Sequence, residues 1–147
     1  MSAYFDTSIV TKWYVREADS EAALRIRQRF SPPAVLTHLH RLELSNAWHL
    51  KLFRKEMKKA VLAQAREDLQ ADVDAGVWIA PAYDLADVFR RAEELSSAHT
   101  PKLGTRSLDI LHVAAAMELS VRTFVTGDGR QAKLAAACRL HVVQLGG

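Results

Sequence analysis

Short runs of β type alternate along this chain with longer helical patterns. The predicted strands are Ala3 to Phe5, Ala34 to Thr37, Val77 to Ala80, Thr123 to Thr126 and His141 to Leu145, each mostly apolar or β-branched and bounded by polar or turn-forming residues. Between them, apolar positions at three- and four-residue spacing predict helices over about Ser8 to Tyr14, Glu21 to Phe30, Leu39 to Phe53, Lys55 to Asp74, Leu85 to Ser97, Ser107 to Leu119 and Arg130 to Cys138. Pro32 and Pro33 stop the second helix, and Gly76 closes the fourth because glycine readily takes the positive φ of a helix stop. A polar stretch from His99 to Thr105, containing Pro101 and Gly104, leads into the sixth. Strands that alternate with helices in this way specify an α/β domain with a mainly parallel sheet.

Composition narrows the picture. The 147 residues are 49% hydrophobic and 25% charged, enough for one ordinary core and too few for two large ones, so 1–147 is expected to be a single domain. No run approaches the roughly 20 apolar residues of a membrane-spanning helix. Asp6 and Lys12 interrupt the opening fifteen residues, where a secretory signal would be apolar. A soluble, cytoplasmic protein without a membrane partner is therefore expected. The lone Cys138 has no internal partner for a disulfide and no companions for a thiolate zinc site, so it is expected to fill a small core space.

Most of the carboxylates, including Glu17, Asp19, Glu21, Glu67, Asp68, Asp72, Asp74, Glu93 and Glu94, fall on polar faces or helix starts. Four do not. Asp6 follows the strand Tyr4-Phe5 and precedes a helix, at the strand end where open α/β sheets bind ligands; it also suits a helix N-cap. Glu43 interrupts a stripe of Leu39, Ala47 and Leu50, with Asn46 on the same side as a potential partner, or else it sits at the stripe's edge with its tip in water. Asp109 stands in the first turn of a helix that is apolar nearly all round, behind Ser107 as a potential cap, where the helix dipole alone would favour it. His112 shares its face and is expected to hydrogen-bond to the site or the backbone. Asp128 lies in Thr126-Gly127-Asp128-Gly129, again at a strand's carboxyl end, although Asp-Gly is also an ordinary turn pair.

Taken jointly, these positions would bring four like charges to one sheet edge, which requires protons or metal. Oxygen ligands without Cys or an HxxxH pair point to Mg²⁺ or Mn²⁺ rather than zinc. Such ions activate water and neutralise a phosphoryl oxygen, so phosphodiester hydrolysis is the chemistry that fits. Charge agrees. The net +3 is mild, but neutralising four of the 17 carboxylates in a cluster would leave a distinctly basic remainder, suited to a polyanion.

The ordered set of motifs resembles the PIN domain family, and within it the VapC-type toxins of toxin–antitoxin pairs. Tyr4-Phe5-Asp6-Thr7-Ser8-Ile9-Val10, with Lys12, Tyr14 and Val15, is similar to the family's first motif, and Leu42-Glu43 with Asn46-Ala47 to its second. Arg106 with Leu108 to Ala116 is similar to the third, and Phe124-Val125-Thr126 with Asp128, Arg130 and Gln131 to the fourth. Gly127 and Gly129 stand where many relatives carry a bulkier residue beside the last Asp. The resemblance implies a three-layer α/β/α fold around a central, mainly parallel five-stranded sheet. It also implies Asp6, Glu43, Asp109 and Asp128 as ligands to one or two Mg²⁺ or Mn²⁺ ions, and cleavage of RNA. Thr126, with Thr7 or Ser8, would orient the carboxylates or the attacking water. A homodimer and a VapB-like antitoxin that puts a basic group into the acidic pocket are further implications, as are two other roles: an RNA-processing nuclease outside a toxin pair, or a catalytically silent binding module.

An RNA strand would be held through its phosphates by Arg106, Arg130 and the basic run from Lys51 to Lys59, which includes Lys51, Arg54 and Lys55 and could equally be a plain solvated face. Trp48 and Trp78 are expected in the core, whereas Trp13 suits an RNA contact or a protein interface.

Overall fold

Side chains alternate across a strand, and here the alternation divides the core in two. In the computed structural model, which describes residues 3–146, Ala3, Phe5, Ala34, Leu36 and Val125 face one layer while Tyr4, Val35 and Phe124 face the other. The elements run β1 (Tyr4–Phe5), α1 (Thr7–Tyr14), α2 (Ser20–Arg27), β2 (Ala34–Val35), α3 (His38–Phe53), α4 (Lys59–Asp74), β3 (Trp78–Ile79), α5 (Leu85–Leu103), α6 (Ser107–Glu118), β4 (Thr123–Thr126), α7 (Gly129–Ala137) and β5 (His141–Gln144). Helices α1, α3 and α4 close the first core through Ile9, Val10, Leu44, Trp48, Leu62 and Leu69. Helices α5, α6 and α7 close the second through Val88, Leu95, Ile110, Val113 and Leu134. The result is a three-layer α/β/α arrangement.

All five strands pair in parallel, in the order β1-β4-β5 in one ladder and β2-β3 in another. The expected five-stranded sheet is thus present with an interruption between β1 and β2, which lie side by side. The cause is local. Alternate residues of a strand point both backbone groups to the same side, and Asp6 N–H bonds Val125 O at 2.8 Å in the β4 direction. The Phe5 carbonyl therefore points toward β2, where His40 Nε2 takes it at 2.7 Å. His40 is fully buried and its pKa is driven well below the usual imidazole value, chiefly by burial, so the ring is neutral. Its Nδ1 then accepts from Thr37 N–H at 3.0 Å, which completes the cap of α3.

The largest differences from the expected boundaries are at α4 and α5. Helix α4 begins at Lys59 rather than Lys55, because Lys55 takes φ 58° and terminates α3 in the left-handed region. Helix α5 continues through Pro101 to Leu103 instead of ending near Ser97. A proline in the last turn costs one hydrogen bond there, Leu103 packs on the second core, and Gly104 at φ 63° makes the stop. Ser107 is the first residue of α6, with Arg106 at the cap position, so Ser107 does not cap the helix.

Trp48 and Trp78 are buried as expected. Trp13, expected at an interface or on RNA, is instead tied inward: its ring stacks on Trp78, its N–H bonds Ala23 O at 2.9 Å, and Arg27 lies over it. Asp72, dismissed as a surface acid, accepts from the Tyr14 hydroxyl and from Arg27, and Tyr14 in turn accepts from Trp78 Nε1 at 2.7 Å. Tyr14→Phe strands the Trp78 N–H away from water, and urea denaturation should show a loss of about 1–3 kcal/mol. An unchanged midpoint would mean that solvent reaches that nitrogen.

Candidate metal centre

The site forms where the chain leaves two neighbouring strands. Phe5 pairs with Val125 across the β1–β4 ladder, so the segments just beyond, Asp6 to Ser8 and Thr126 to Asp128, emerge side by side. β4 flanks β1 on one side and β2 on the other, the kind of switch point at which open α/β sheets bind ligands.

Asp6 is both a cap and a site residue. Its Oδ2 accepts from Ser8 N–H at 3.2 Å, Ser8 Oγ at 2.6 Å and Thr126 Oγ1 at 3.3 Å. Its Oδ1 is left toward His112 Nε2, 3.8 Å away. Asp128 follows the same scheme: Oδ1 caps α7 through Arg130 N–H at 2.8 Å and Gln131 N–H at 3.1 Å, with Oδ2 outside that cap. The capping and ligand readings of these residues are therefore compatible, because capping immobilises one oxygen and aims the other.

Ser8 and Thr126 join the two junctions. Ser8 Oγ accepts from Gly127 N–H at 3.1 Å. Thr126 Oγ1 accepts from Asp128 N–H at 3.0 Å and shares its proton with Gln131 Oε1 at 2.6 Å. A Cβ at Gly127 would meet Ser8 Oγ at 3.4 Å, so the missing side chain opens little room, and Asp128 is held by its cap and by its N–H bond to Thr126.

Glu43 reaches the same point from α3. The buried stripe of that helix is His40, Leu44 and Trp48, not Leu39, Ala47 and Leu50, and Glu43 lies on its flank, partly exposed. Thr7 Oγ1 donates to Glu43 Oε1 at 2.9 Å, and His112 Nε2 contacts the same oxygen closely. Asn46 is exposed and makes no hydrogen bond to Glu43 among the described residues. The other nitrogen of His112 shares a 2.6 Å hydrogen bond with the Tyr4 hydroxyl, and both side chains are fully buried. Ligand atoms of Asp6, Glu43 and His112 lie within 4.8 Å of one another, a spacing at which one ion can be held.

Asp109, like Asp128, lies outside that metal-spaced group; it stands in the first turn of α6, where the helix dipole favours its charge. Burial and repulsion nevertheless prevail: its pKa is pushed up to about 6, first by desolvation and then by Asp128, Asp6 and Glu43. Among the described residues its carboxylate accepts no hydrogen bond. A carboxylate raised by three others marks a concentration of negative charge, and an oxygen-rich donor set of this charge fits a hard divalent ion.

Outside the acids, a cleft of about 540 Å³ is lined by Arg106, Asp109, Asp128, Gly129, Arg130 and Lys133. Arg106 and Arg130 thus line the same cleft as Asp109 and Asp128. Lys133 escaped the sequence reading, although its position one turn beyond Arg130 on α7 could have signalled it. Lys51 is drawn into an ion pair with Glu17 at 3.0 Å, while Arg54 and Lys55 are exposed at the α3–α4 turn. Eight residues of helix separate Glu43 from Lys51, about 12 Å at the usual rise, so that patch would meet only more distant phosphates.

The pattern of the PIN domain matches residues 3–137, nearly the whole chain. The chain belongs to the PIN domain family. No curated protein matches it. The PIN domain is a fold of metal-dependent nucleases that act on RNA, and here its acidic cluster lies at the β1–β4 switch point, where a metal could be held. Among the described residues, no helix is long and apolar enough to cross a membrane.

Proposed function

We propose that this PIN domain is a Mg²⁺- or Mn²⁺-dependent endoribonuclease and serves as the toxin of a VapBC-type pair. The observation that carries the nuclease reading is the convergence of ligand atoms of Asp6, Glu43 and His112 within 4.8 Å of one another, with the nearby Asp109 carboxyl raised by its acidic neighbours. Asp6, Glu43, Asp109 and Asp128 are the residues that would hold the ion, and a bound divalent ion supplies water activation and neutralisation of phosphoryl charge. The protein's part is positional. Ser8 and Thr126 fix the Asp6 carboxylate, and Thr7 fixes Glu43. Arg106, Arg130 and Lys133 sit on the open side of the acids, where they counter the repulsion between the cleft and the phosphates flanking the bond to be cut.

What supports a protein inhibitor is a groove of about 480 Å³ lined by Leu39, Leu42, Tyr83, Leu85, Val88 and Phe89, among others. Leu42 is 65%, Leu85 58% and Phe89 51% exposed, and Leu42 adjoins Glu43 in sequence. An apolar antitoxin segment lying there could send a basic side chain into the acidic pocket, and a second copy of the chain could share that apolar surface as a homodimer.

Purified protein should cleave single-stranded RNA in Mn²⁺ or Mg²⁺ and stop when EDTA is added. RNA binding without cleavage in either metal would favour the silent binding module instead. Binding should also weaken with salt. Three phosphate contacts from Arg106, Arg130 and Lys133 predict about a twentyfold loss of affinity between roughly 50 and 200 mM salt, read by fluorescence anisotropy on an Asp6→Asn variant to prevent cleavage. A flat salt response would take these three residues off the RNA path.

A further inference from the structure

We infer that His112 supplies a nitrogen ligand to the metal centre, making the inner site a mixed carboxylate–imidazole centre that favours Mn²⁺ over Mg²⁺. The inference rests on the nuclease reading above and specifies its metal chemistry.

His112 Nε2 is surrounded by oxygens from three directions: Glu43 Oε1 in close contact, Thr7 Oγ1 at 3.4 Å and Asp6 Oδ1 at 3.8 Å. A single N–H can serve only one of them, so two carboxylates converge on a nitrogen that offers one proton. A divalent ion serves them together. Ligands at about 2.0–2.2 Å from one ion stand roughly 3–4 Å apart, so the Asp6 Oδ1 separation already fits and Glu43 has only to draw back slightly.

The far side of the ring is prepared for this role. A ligating histidine needs its other nitrogen held by an outer partner, and Nδ1 has the Tyr4 hydroxyl at 2.6 Å. Without metal, Nε2–H donates to Glu43 and Tyr4 donates to Nδ1. Were an ion bound at Nε2, Nδ1 would carry the ring proton and donate it to the Tyr4 oxygen. Burial holds the Tyr4 phenol well above its ordinary pKa, so it remains a neutral partner in both arrangements. Packing keeps the ring from turning away: it lies against Tyr4 and His40, with ring centroids 5.6 Å and 4.8 Å distant.

Metal preference follows from the donor set. Mg²⁺ takes oxygen ligands and retains water, whereas first-row transition ions accept a nitrogen donor more readily, Mn²⁺ the least strongly among them but more so than Mg²⁺. Untagged wild-type protein should bind Mn²⁺ roughly tenfold tighter than Mg²⁺ by calorimetry, and His112→Gln should lose about tenfold or more in Mn²⁺ affinity while its Mg²⁺ affinity changes less. The decisive readout is pulsed EPR of the Mn²⁺-loaded protein. A directly bonded ¹⁴N coupling is expected in wild type and absent from His112→Gln.

Stoichiometric Mn²⁺ binding without nitrogen coupling would overturn this inference and leave the nuclease reading in place. Failure to bind Mn²⁺ at all would overturn both. His112 is fully buried, so where the variant fails to fold, wild-type protein labelled with ¹⁵N-histidine decides the matter. Conversion of the coupling to the ¹⁵N pattern supports the inference, since His112 is the histidine that faces the acids among the described residues, and an unconverted coupling overturns it.

Discussion

Asp6→Asn should leave the fold in place and lower RNA cleavage by about 10³-fold. The amide keeps the oxygen that caps α1, and Asn ranks with Asp as a cap, so the contacts to Ser8 and Thr126 that position the β1–α1 junction persist. What disappears is the negative charge and the second oxygen aimed toward His112 and Glu43. Preorganised charge at a developing phosphoryl transition state is commonly worth two to three powers of ten, and loss of a ligand to the ion lies at the upper end of that range. Initial rates at saturating Mn²⁺, with a thermal melt of the same sample, separate the two effects. A normal melt with undiminished rate would remove Asp6 from the machinery.

Asp109→Asn should reverse the sign of its stability effect when metal is added. The folded-state pKa of Asp109 lies above the ordinary carboxylate value of 3.8, at about 6. The folded protein therefore holds a proton that the unfolded chain releases. Its full contribution to stability is present below about pH 4 and is lost as pH rises through about 6, leaving a constant penalty at neutral pH. Asn removes that penalty. After allowance for the half-exposed position, the metal-free variant should be more stable than wild type at pH 7 by roughly 1 kcal/mol, or about 2–4 °C in Tm, and equal to it near pH 4. With Mn²⁺ at about 100 times its Kd, wild type gains about 2.7 kcal/mol and overtakes a variant that has lost a ligand. Scanning calorimetry with and without Mn²⁺ at the two pH values reads all four numbers. A variant less stable than wild type in EDTA at pH 7 would show that Asp109 is a helix-dipole anchor rather than a ligand held under repulsion.

The chemistry was legible in the sequence at the strand ends. Asp6 and Asp128 follow apolar strands directly, and Asp109 is an acid in an otherwise apolar helix; each departs from a local pattern that would otherwise predict an uncharged or solvated residue. Glu43 was legible for the wrong neighbours. The stripe of α3 runs through His40, Leu44 and Trp48, because a histidine and a tryptophan with hydrogen-bond partners can be buried as readily as leucine. Trp13, Asp72 and Lys51 were misjudged for a related reason: whether a polar or amphipathic side chain meets solvent depends on residues tens of positions away, such as Trp78, Tyr14 and Glu17.

By itself the sequence determined the α/β class, the parallel direction of the strands and four candidate acids, since periodicity and charge placement are properties of neighbouring residues. Tertiary structure alone decided that one oxygen of Asp6 and of Asp128 is spent on a cap, that His112 stands between Tyr4 and Glu43, and that Arg106, Arg130 and Lys133 share one cleft. Those outcomes require the β1–β4 register to bring residues more than a hundred positions apart within hydrogen-bond reach, a distance over which local pattern carries no information.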